Sequence, residues 1–501
     1  MKTSRRDFLT GAAWTGAAAL ASGCAAGKGP VFSPGRPVCG FGGRGAAMQG
    51  FRCAPIKKIR IAFAGVGGRG TSAMRRIAQI PGCEVVALCD LRQSRMDVCN
   101  GWLTTNGYAR AREHVGTEAY RAMCDSGGVD VVYVAGSWQM HEPVGLYAVN
   151  AGKHTFVEVP AALSLDGCWA FVEGAEKANV HCMMLENCCY GEEELLALNL
   201  MRKGMLGEPV SGECGYIHDL KFMSYADKEG EPGDPLRGYW DFWRLKWNAA
   251  HKGNQYPTHG LGPICQYMNV NRGDRLTTLV SMETDPKQNE EYAKAMFPAD
   301  DWRTKLKVEM GDMNISMIRT AKGRMILVQH DVTTPGPYGR INRIVGTRGL
   351  LQGASTSGER CGWPLRVGFA DNVGKHVNYF SAEKTEQVRC EYRHPYFATA
   401  GEFAKKVGGH GGMDFLMDLR WIYCLQNGLP LDMDVYDLAA WCSVCELSER
   451  SVRGGSCPVE VPDFTRGGWR TAEPLGIVSV DLSKMNFGAK NMDAATAQEK
   501  I

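Results

Sequence analysis

Residues 59–76 read "IRIAFAGVGGRGTSAMRR", and this stretch decides the class of the fold. After a basic start at Arg60, its apolar run suits a strand buried on both faces of a parallel sheet. The run passes into Gly65, Gly67 and Gly70, spaced as GxGxxG with Gly68 and Arg69 between them, and then into a helical pattern. Glycines so spaced permit a tight turn and close backbone approach to a pyrophosphate, whose charge a helix N-terminus favours. The alternative for a lone motif of this kind is a glycine-rich turn without function.

The residues that follow favour the dinucleotide reading. A second apolar run, "CEVVALCD", ends on Asp90, 25 residues after Gly65. An acid at that point accepts hydrogen bonds from the adenosine ribose hydroxyls and repels a 2′-phosphate, which selects NAD over NADP. Strand-like "VDVVYVAG", a helix from about residue 142 to 151, and strand-like "HTFVEVP" continue the alternation. Such alternation predicts a doubly wound parallel sheet of Rossmann type. Trp138 and His141 in "SWQMHEP" fall just past a strand's carboxyl end, where ligands bind in these sheets. His141 there either contacts NAD or caps the helix it begins.

The chain has 501 residues, 44% of them hydrophobic, which predicts two domains with sizeable cores. A formal charge of +3 gives no reason to expect nucleic acid as partner. Residues 1–23 carry Arg5 and Arg6 in "SRRDFL" ahead of an Ala/Gly-rich apolar run, resembling a twin-arginine export signal that carries folded proteins. "LASGC", ending at Cys24, is similar to a lipoprotein cleavage site, so a lipid anchor at Cys24 is one expectation. Export would leave the protein periplasmic or membrane-anchored outside the cytoplasm. The 19 cysteines are scattered among apolar residues, as expected of buried thiols in a chain that folds before export. No CxxC pair meets another at zinc-site spacing, so no metal is expected. Residues 24–55, rich in Gly and Pro, read as a linker. The expected body is a cofactor domain over 56–181 and a substrate domain over 182–488, with a disordered tail over 489–501.

In the second domain, "DMNISMIRTAKGRMILVQHDV" reads as two strands joined at Ala321, Lys322 and Gly323. "RINRIVGTRGLLQG" adds another strand and turn. "GMDFLMDLRWIYCLQNG" and "DVYDLAAWCSVCELSERSVRGG" have helical spacing with glycine stops. Together they predict an α+β domain: an open mixed sheet with helices on one side, its other face covering the nucleotide. A homodimer is a further expectation for such sheets.

A nucleotide domain followed by "EVP" and a mixed second domain resembles the glucose–fructose oxidoreductase/inositol dehydrogenase superfamily. Sugar dehydrogenases of that superfamily usually carry Glu-Lys-Pro where this chain has Glu158, Val159 and Pro160. The missing ammonium argues against an ordinary dehydrogenase. "GVGGRG", "WQMH", "VEVP", "MMLENCCY", "YPTHGLGP", "GHGGMDFLM" and "NGLPLDMDVYDLAAW" are similar to glycoside hydrolase family 109, the NAD-dependent α-N-acetylgalactosaminidases, over about residues 58–470. The resemblance implies hydrolysis by an unusual route. NAD takes hydride from C3 of the sugar, the C2 proton is removed, the C1 substituent is eliminated, water adds, and the hydride returns. Tightly bound, recycled NAD would suit an exported enzyme, and the implied substrate is a glycan ending in α-linked N-acetylgalactosamine.

The same resemblance implies roles for residues. His259 is the expected acid/base group, since a free imidazole titrates near ~6.5 and both accepts and donates at working pH. Tyr256 would position the sugar or relay the C3 hydroxyl proton. Tyr190 is a proton carrier, a stacking platform or a core residue. Asn187, Glu158 and Val159 join Gly65, Gly67, Gly68, Arg69, Gly70, Asp90, Trp138 and His141 as cofactor contacts. Glu158 either binds the nicotinamide ribose, orients His259 or caps a helix. Tyr216, Arg244, Tyr256, Pro257, Thr258, His259 and Tyr338 are the implied substrate contacts, aromatic rings packing on the sugar face and Arg reading its oxygens. Trp240, Trp243 and Trp247 read as core. His251 stands where the family suggests Arg or Lys, which bears on the aglycone side. An exported sugar oxidoreductase holding NAD(P) and a silent binding protein are the alternatives in other functional classes.

Overall fold

The structure, a computed structural model, describes residues 47–227, 238–353, 364–485 and 487. The export signal, Cys24, most of the 24–55 linker and the 489–501 tail lie outside them. Strand β1 (Ile59–Ala64) is buried at every position but Arg60, as a central parallel strand requires. It pairs in parallel with β2 (Cys83–Asp90) on one side and β4 (Val131–Val134) on the other. With β3 (Arg112–Val115), β5 (His154–Val157) and β6 (Cys182–Met184), the order is β3-β2-β1-β4-β5-β6. The order reverses between β1 and β4, and a ligand crevice opens at such a switch point.

Three boundaries differ from expectation. Cys182–Met184 pairs with β5, so the first sheet extends past residue 181. The helix after β4 begins at Trp138, four residues before the expected start. Residues 47–55 are not free linker: Met48 is buried and donates its backbone N–H to the Tyr436 hydroxyl, and Phe51 packs edge-on against His181.

The second sheet runs β13-β12-β11-β7-β10-β9-β8-β14, mixed as expected. Its strands are β7 (Pro209–Ile217), β8 (Leu276–Glu283), β9 (Met313–Thr320), β10 (Met325–Asp331), β11 (Arg343–Gly346), β12 (Gly349–Gln352), β13 (Arg366–Phe369) and β14 (Val459–Glu460). β9 and β10 form the anticipated hairpin, and β7 pairs with β10 in parallel. Helices Thr258–Tyr267 and Val435–Arg453 cover one face. The second of these is fixed by a capping box between Asp434 and Asp437, with Arg450 and Arg453 in its last turn against the helix dipole. It also packs on β6 and on helix Leu165–Ala178, so one helix joins the two sheets. The described residues consequently make one compact unit.

The other face of this sheet does not cover the nucleotide. The helical layer occupies the space towards the first sheet, and Met282, Ile315, Met317 and Met325 are left exposed on the far side. The cysteines described are free thiols, most of them buried. Among the described residues no helix is long and apolar enough to cross a membrane.

Candidate active site and cofactor cleft

At the carboxyl ends of β1, β2 and β4 lies a cleft of about 260 Å³ lined by Gly65, Gly67, Gly68, Arg69 and Asp90, among others. Gly65 has φ +85° and a Cβ there would meet the Gly136 nitrogen at 2.5 Å, so only glycine fits between the two strand ends. Helix Gly68–Ala78 starts from Gly67 with no side-chain cap and no acid in its first turn, leaving its opening N–H groups to a ligand. Asp90 accepts the backbone N–H groups of Val66 (2.9 Å) and Arg92 (3.1 Å), which fixes its carboxylate at the rim. Each oxygen keeps a lone pair for a ribose hydroxyl. The glycine cradle, open helix start and fixed acid fit a dinucleotide.

The remaining expected cofactor residues do other things. Arg69 lines the cleft, but its guanidinium donates to Glu158 (2.7 Å) and Asp414 (2.5 Å). Glu158 also accepts the Tyr133 hydroxyl at 2.7 Å and has no bond to His259, so it orients Arg69 rather than the imidazole. Asn187 donates to the other oxygen of Asp414 at 2.5 Å. Burial opposes charge on Asp414, but Arg69, His410 and Arg76 around it hold its carboxyl far below the usual range. The carboxylate thus ties the glycine-loop helix to helix Met413–Asn427. His141, expected at NAD, is 1% exposed, with both ring nitrogens on backbone carbonyls, Pro160 at 2.8 Å and Gly136 at 3.1 Å. It pins the chain after β5, where Val159 is also buried and precedes a cis Pro160, and it does not line the cleft.

Beside the cleft gather the residues expected to contact substrate. Helix Thr258–Tyr267 begins directly after Pro257 and presents His259 in its first turn. Gly260 and Gly262 let it press close: a Cβ on Gly260 would meet the Gly215 nitrogen in β7 at 2.5 Å, and one on Gly262 would meet Glu186 Cγ at 3.0 Å. His259 Nδ1 lies 2.7 Å from Glu186 Oε1, and its Nε2 lies 3.3 Å from the Tyr256 hydroxyl. Glu186 is fully buried. Burial pushes its carboxyl up, but the His259 imidazole and further hydrogen bonds outweigh that and hold it below the ordinary value. An ionised Glu186 only accepts, so Nδ1 carries the proton and Nε2 is left to accept the Tyr256 O–H.

Tyr256 sits at the centre of an aromatic group. Its ring is 4.6 Å from Tyr216 and stacks at 5.5 Å on Trp138, while Tyr338 meets Tyr216 edge-on at 6.1 Å. Trp138 therefore packs in this aromatic group and does not line the cofactor cleft. Trp243 touches it edge-on at 5.2 Å and also lines the cofactor cleft, so the two sites adjoin. The Arg244 guanidinium lies 4.7 Å over Trp138 and 5.4 Å over Tyr256. Arg244 donates to the Tyr239 hydroxyl at 2.9 Å, yet its buried Nε and Nη2 have no hydrogen-bond partner among the described residues. Buried donors without acceptors cost free energy until something supplies oxygen atoms. His218 shares a hydrogen bond with the Tyr216 hydroxyl (3.1 Å) and is pushed down to about 4 by burial, with Arg244 adding to the effect.

Tyr190 is placed elsewhere. It is buried, donates to Asp432 at 3.1 Å and meets Tyr396 edge-on, and Asp432 is held in turn by Arg420. The structure gives it a packing role, because the short helix Asn187–Tyr190 turns its side chain into the core. His251 pairs with Glu449 (3.0 Å) and stacks on Trp247. Sequence reasoning missed Glu186, although it stands two residues before Cys188 in a quoted motif; only the fold shows that it faces His259. Glu186, Cys188 and His259 bring carboxylate, thiol and imidazole atoms within 4.8 Å of one another. Burial keeps the Cys188 thiol protonated, however, and the other two already pair, which suits proton handling better than a metal.

This arrangement agrees with the comparisons to known proteins. Residues 190–471 match the model of the glycosyl hydrolase 109 C-terminal domain, and residues 59–186 match the NAD-binding Rossmann fold of the oxidoreductase family. The chain belongs to glycosyl hydrolase family 109. A family 109 protein of Phocaeicola vulgatus is 43% identical over 83% of this chain and 97% of its own length. An α-N-acetylgalactosaminidase of Bacteroides fragilis is 40% identical over 84% of this chain and 96% of its own. Among solved structures, a levoglucosan dehydrogenase in complex with NADH and levoglucosan covers 81% of this chain and 100% of its own, with a TM-score of 0.59 at 16% identity, a likeness of fold. The family 109 chain thus carries an NAD-binding domain, matched over residues 59–186, and the family's C-terminal domain, matched over residues 190–471.

Proposed function

We propose that this family 109 chain removes terminal α-linked N-acetylgalactosamine from glycans, using a tightly held NAD that each turnover restores. The observation that carries the reading is the buried chain Tyr256–His259–Glu186 beside Arg244, whose guanidinium has donors to spare. Bound NAD supplies reversible hydride exchange at C3 of the sugar. The protein does the rest. Arg244 receives ring or acetamido oxygens, and Tyr216 and Tyr338 pack on the sugar face. Tyr256 passes the C3 hydroxyl proton to His259 Nε2. Oxidation at C3 acidifies the C2 proton, so a base on this side can remove it while the C1 substituent leaves; water then adds and the ketone is reduced again. Glu186 stands behind His259 and holds its tautomer. Val159 at the strand end, in place of an ammonium, also favours this over plain oxidation.

The test uses the protein as isolated, with a chromogenic α-N-acetylgalactosaminide in deuterated buffer and no added NAD. Release of N-acetylgalactosamine with deuterium at C2 is the expected result. No release even with NAD supplied would sink the reading, and net NADH formation on free sugar would turn it to an exported sugar oxidoreductase.

We further propose export by the twin-arginine route, lipid attachment at Cys24 and a homodimer. The Arg5 and Arg6 pair and "LASGC" support the first two. The exposed Met282, Ile315, Met317 and Met325 face supports the third. Lys at both Arg5 and Arg6 should leave the protein in the cytoplasm, and Cys24→Ala should free it from membranes. Met317→Lys should halve the sedimenting mass; an unchanged mass or wild-type monomer would refute the dimer.

A further inference from the structure

The cofactor cleft has walls from both halves of the chain. Met223, Tyr239, Trp240 and Trp243 close it from the second half. Trp240 is 44% exposed, a large apolar ring left at the mouth of the cleft. Its ring centroid lies 4.1 Å from the Arg92 guanidinium carbon. Arg92 comes from the other half, two residues after Asp90, and gives its backbone N–H to the Asp90 carboxylate. The contact therefore bridges the two halves at the end of the cleft that Asp90 marks for the adenosine ribose.

The backbone that presents Trp240 is unusual. The next two residues, Asp241 (φ +53°) and Phe242 (φ +50°), are both left-handed and neither is glycine. Successive left-handed non-glycine residues persist only where the surroundings over-determine them, and they concentrate at ligand clamps. Here the surroundings are plain. The Asp241 N–H donates to Asp227 at 2.6 Å, and the Asp241 carboxylate takes Lys246 at 2.7 Å. The Phe242 ring sits edge-on to Trp302 at 5.2 Å, and Tyr239 N–H returns to the Ala226 carbonyl at 3.1 Å. All of these anchors lie in the second half, and all serve to hold Trp240 against the first.

We propose that Trp240, stacked on Arg92 and held by the left-handed turn at Asp241 and Phe242, is a clamp over the adenosine end of the cofactor cleft and retains NAD through turnover. The inference rests on the retained-cofactor reading above. An indole over a guanidinium offers a flat π surface to an adenine face, and it blocks exit without touching the reacting end. Release of NAD then requires Trp240 and Arg92 to part.

The test compares wild-type protein, Trp240→Ala and Trp240→Phe, all isolated without glycan. NAD per chain is measured by chromatography, then followed during dilution into charcoal-treated buffer. The alanine variant should shed NAD about tenfold faster or more, and the phenylalanine variant should stay close to wild type. Stripped of NAD, the alanine variant and wild type should melt at the same temperature, which a merely structural tryptophan would not allow. Equal release from wild type and the alanine variant overturns the clamp while leaving the retained cofactor intact. Wild-type protein that exchanges NAD within seconds overturns the retained cofactor and the clamp together.

Discussion

Replacing His259 by alanine is expected to lower kcat/KM on an α-N-acetylgalactosaminide by about 10³-fold, within the usual range for a positioned acid/base group. His259 joins the Tyr256 hydroxyl to the Glu186 carboxylate, so its loss breaks the proposed proton path in the middle. The effect should fall on kcat, since Arg244 and the tyrosine rings, the proposed sugar contacts, remain. NAD content should not change, because His259 does not line the cofactor cleft. The fold should tolerate the change: a side chain at the substrate surface is shortened, and Glu186 keeps the Cys188 backbone N–H as partner at 3.1 Å. Tyr256→Phe should cost less alone and add little to His259→Ala, because the two act as one path. Activity of His259→Ala within tenfold of wild type would remove His259 from the chemistry.

The chain displays its first domain openly. Residues 59–76 and Asp90 carry a geometry whose demands are local: a turn that only glycine makes, a helix start without a cap, and an acid at a strand end. The β9–β10 hairpin and the two late helices are legible for the same reason, because turn and stop residues act on their own neighbourhood. What stayed hidden depends on tertiary partners. His141 has the residue type and position of a ligand contact, but two backbone carbonyls brought up by the fold occupy its ring. Tyr190 and Asp432 lie far apart in sequence, as do Glu186 and His259, and no spacing rule joins either pair. Trp240 looked like core because tryptophan usually is; the left-handed turn after it, invisible in "YWDF", carries it to the cleft mouth. The outward apolar face was misjudged because alternation tells which residues share a side, not which side meets the nucleotide.

Glu186→Gln is the sharper test of the proton path, because it keeps size and burial and changes only charge and hydrogen-bond direction. With a carboxylate at position 186, the imidazole must place its proton on Nδ1. A glutamine can instead offer its NH₂ to Nδ1, and the proton then moves to Nε2, where it confronts the Tyr256 O–H with a second donor. The expected loss in kcat is about 10²-fold or more with KM little changed, and Glu186→Asp should restore part of it. Stability should respond to pH as well. The Glu186 carboxyl is held below its ordinary value in the folded chain, so its contribution is present above the unfolded value of about 4.3 and is lost as pH falls through the lower folded value. Wild type should accordingly lose stability in acid, below pH ~4.3, by a component that Glu186→Gln lacks. A glutamine variant with wild-type kcat would show that the tautomer of His259 is set elsewhere. Near-normal stability above pH 5 with a 10²-fold lower kcat would place Glu186 in the reaction rather than merely in the core, because a packing defect lowers stability before it lowers turnover of the molecules that remain folded.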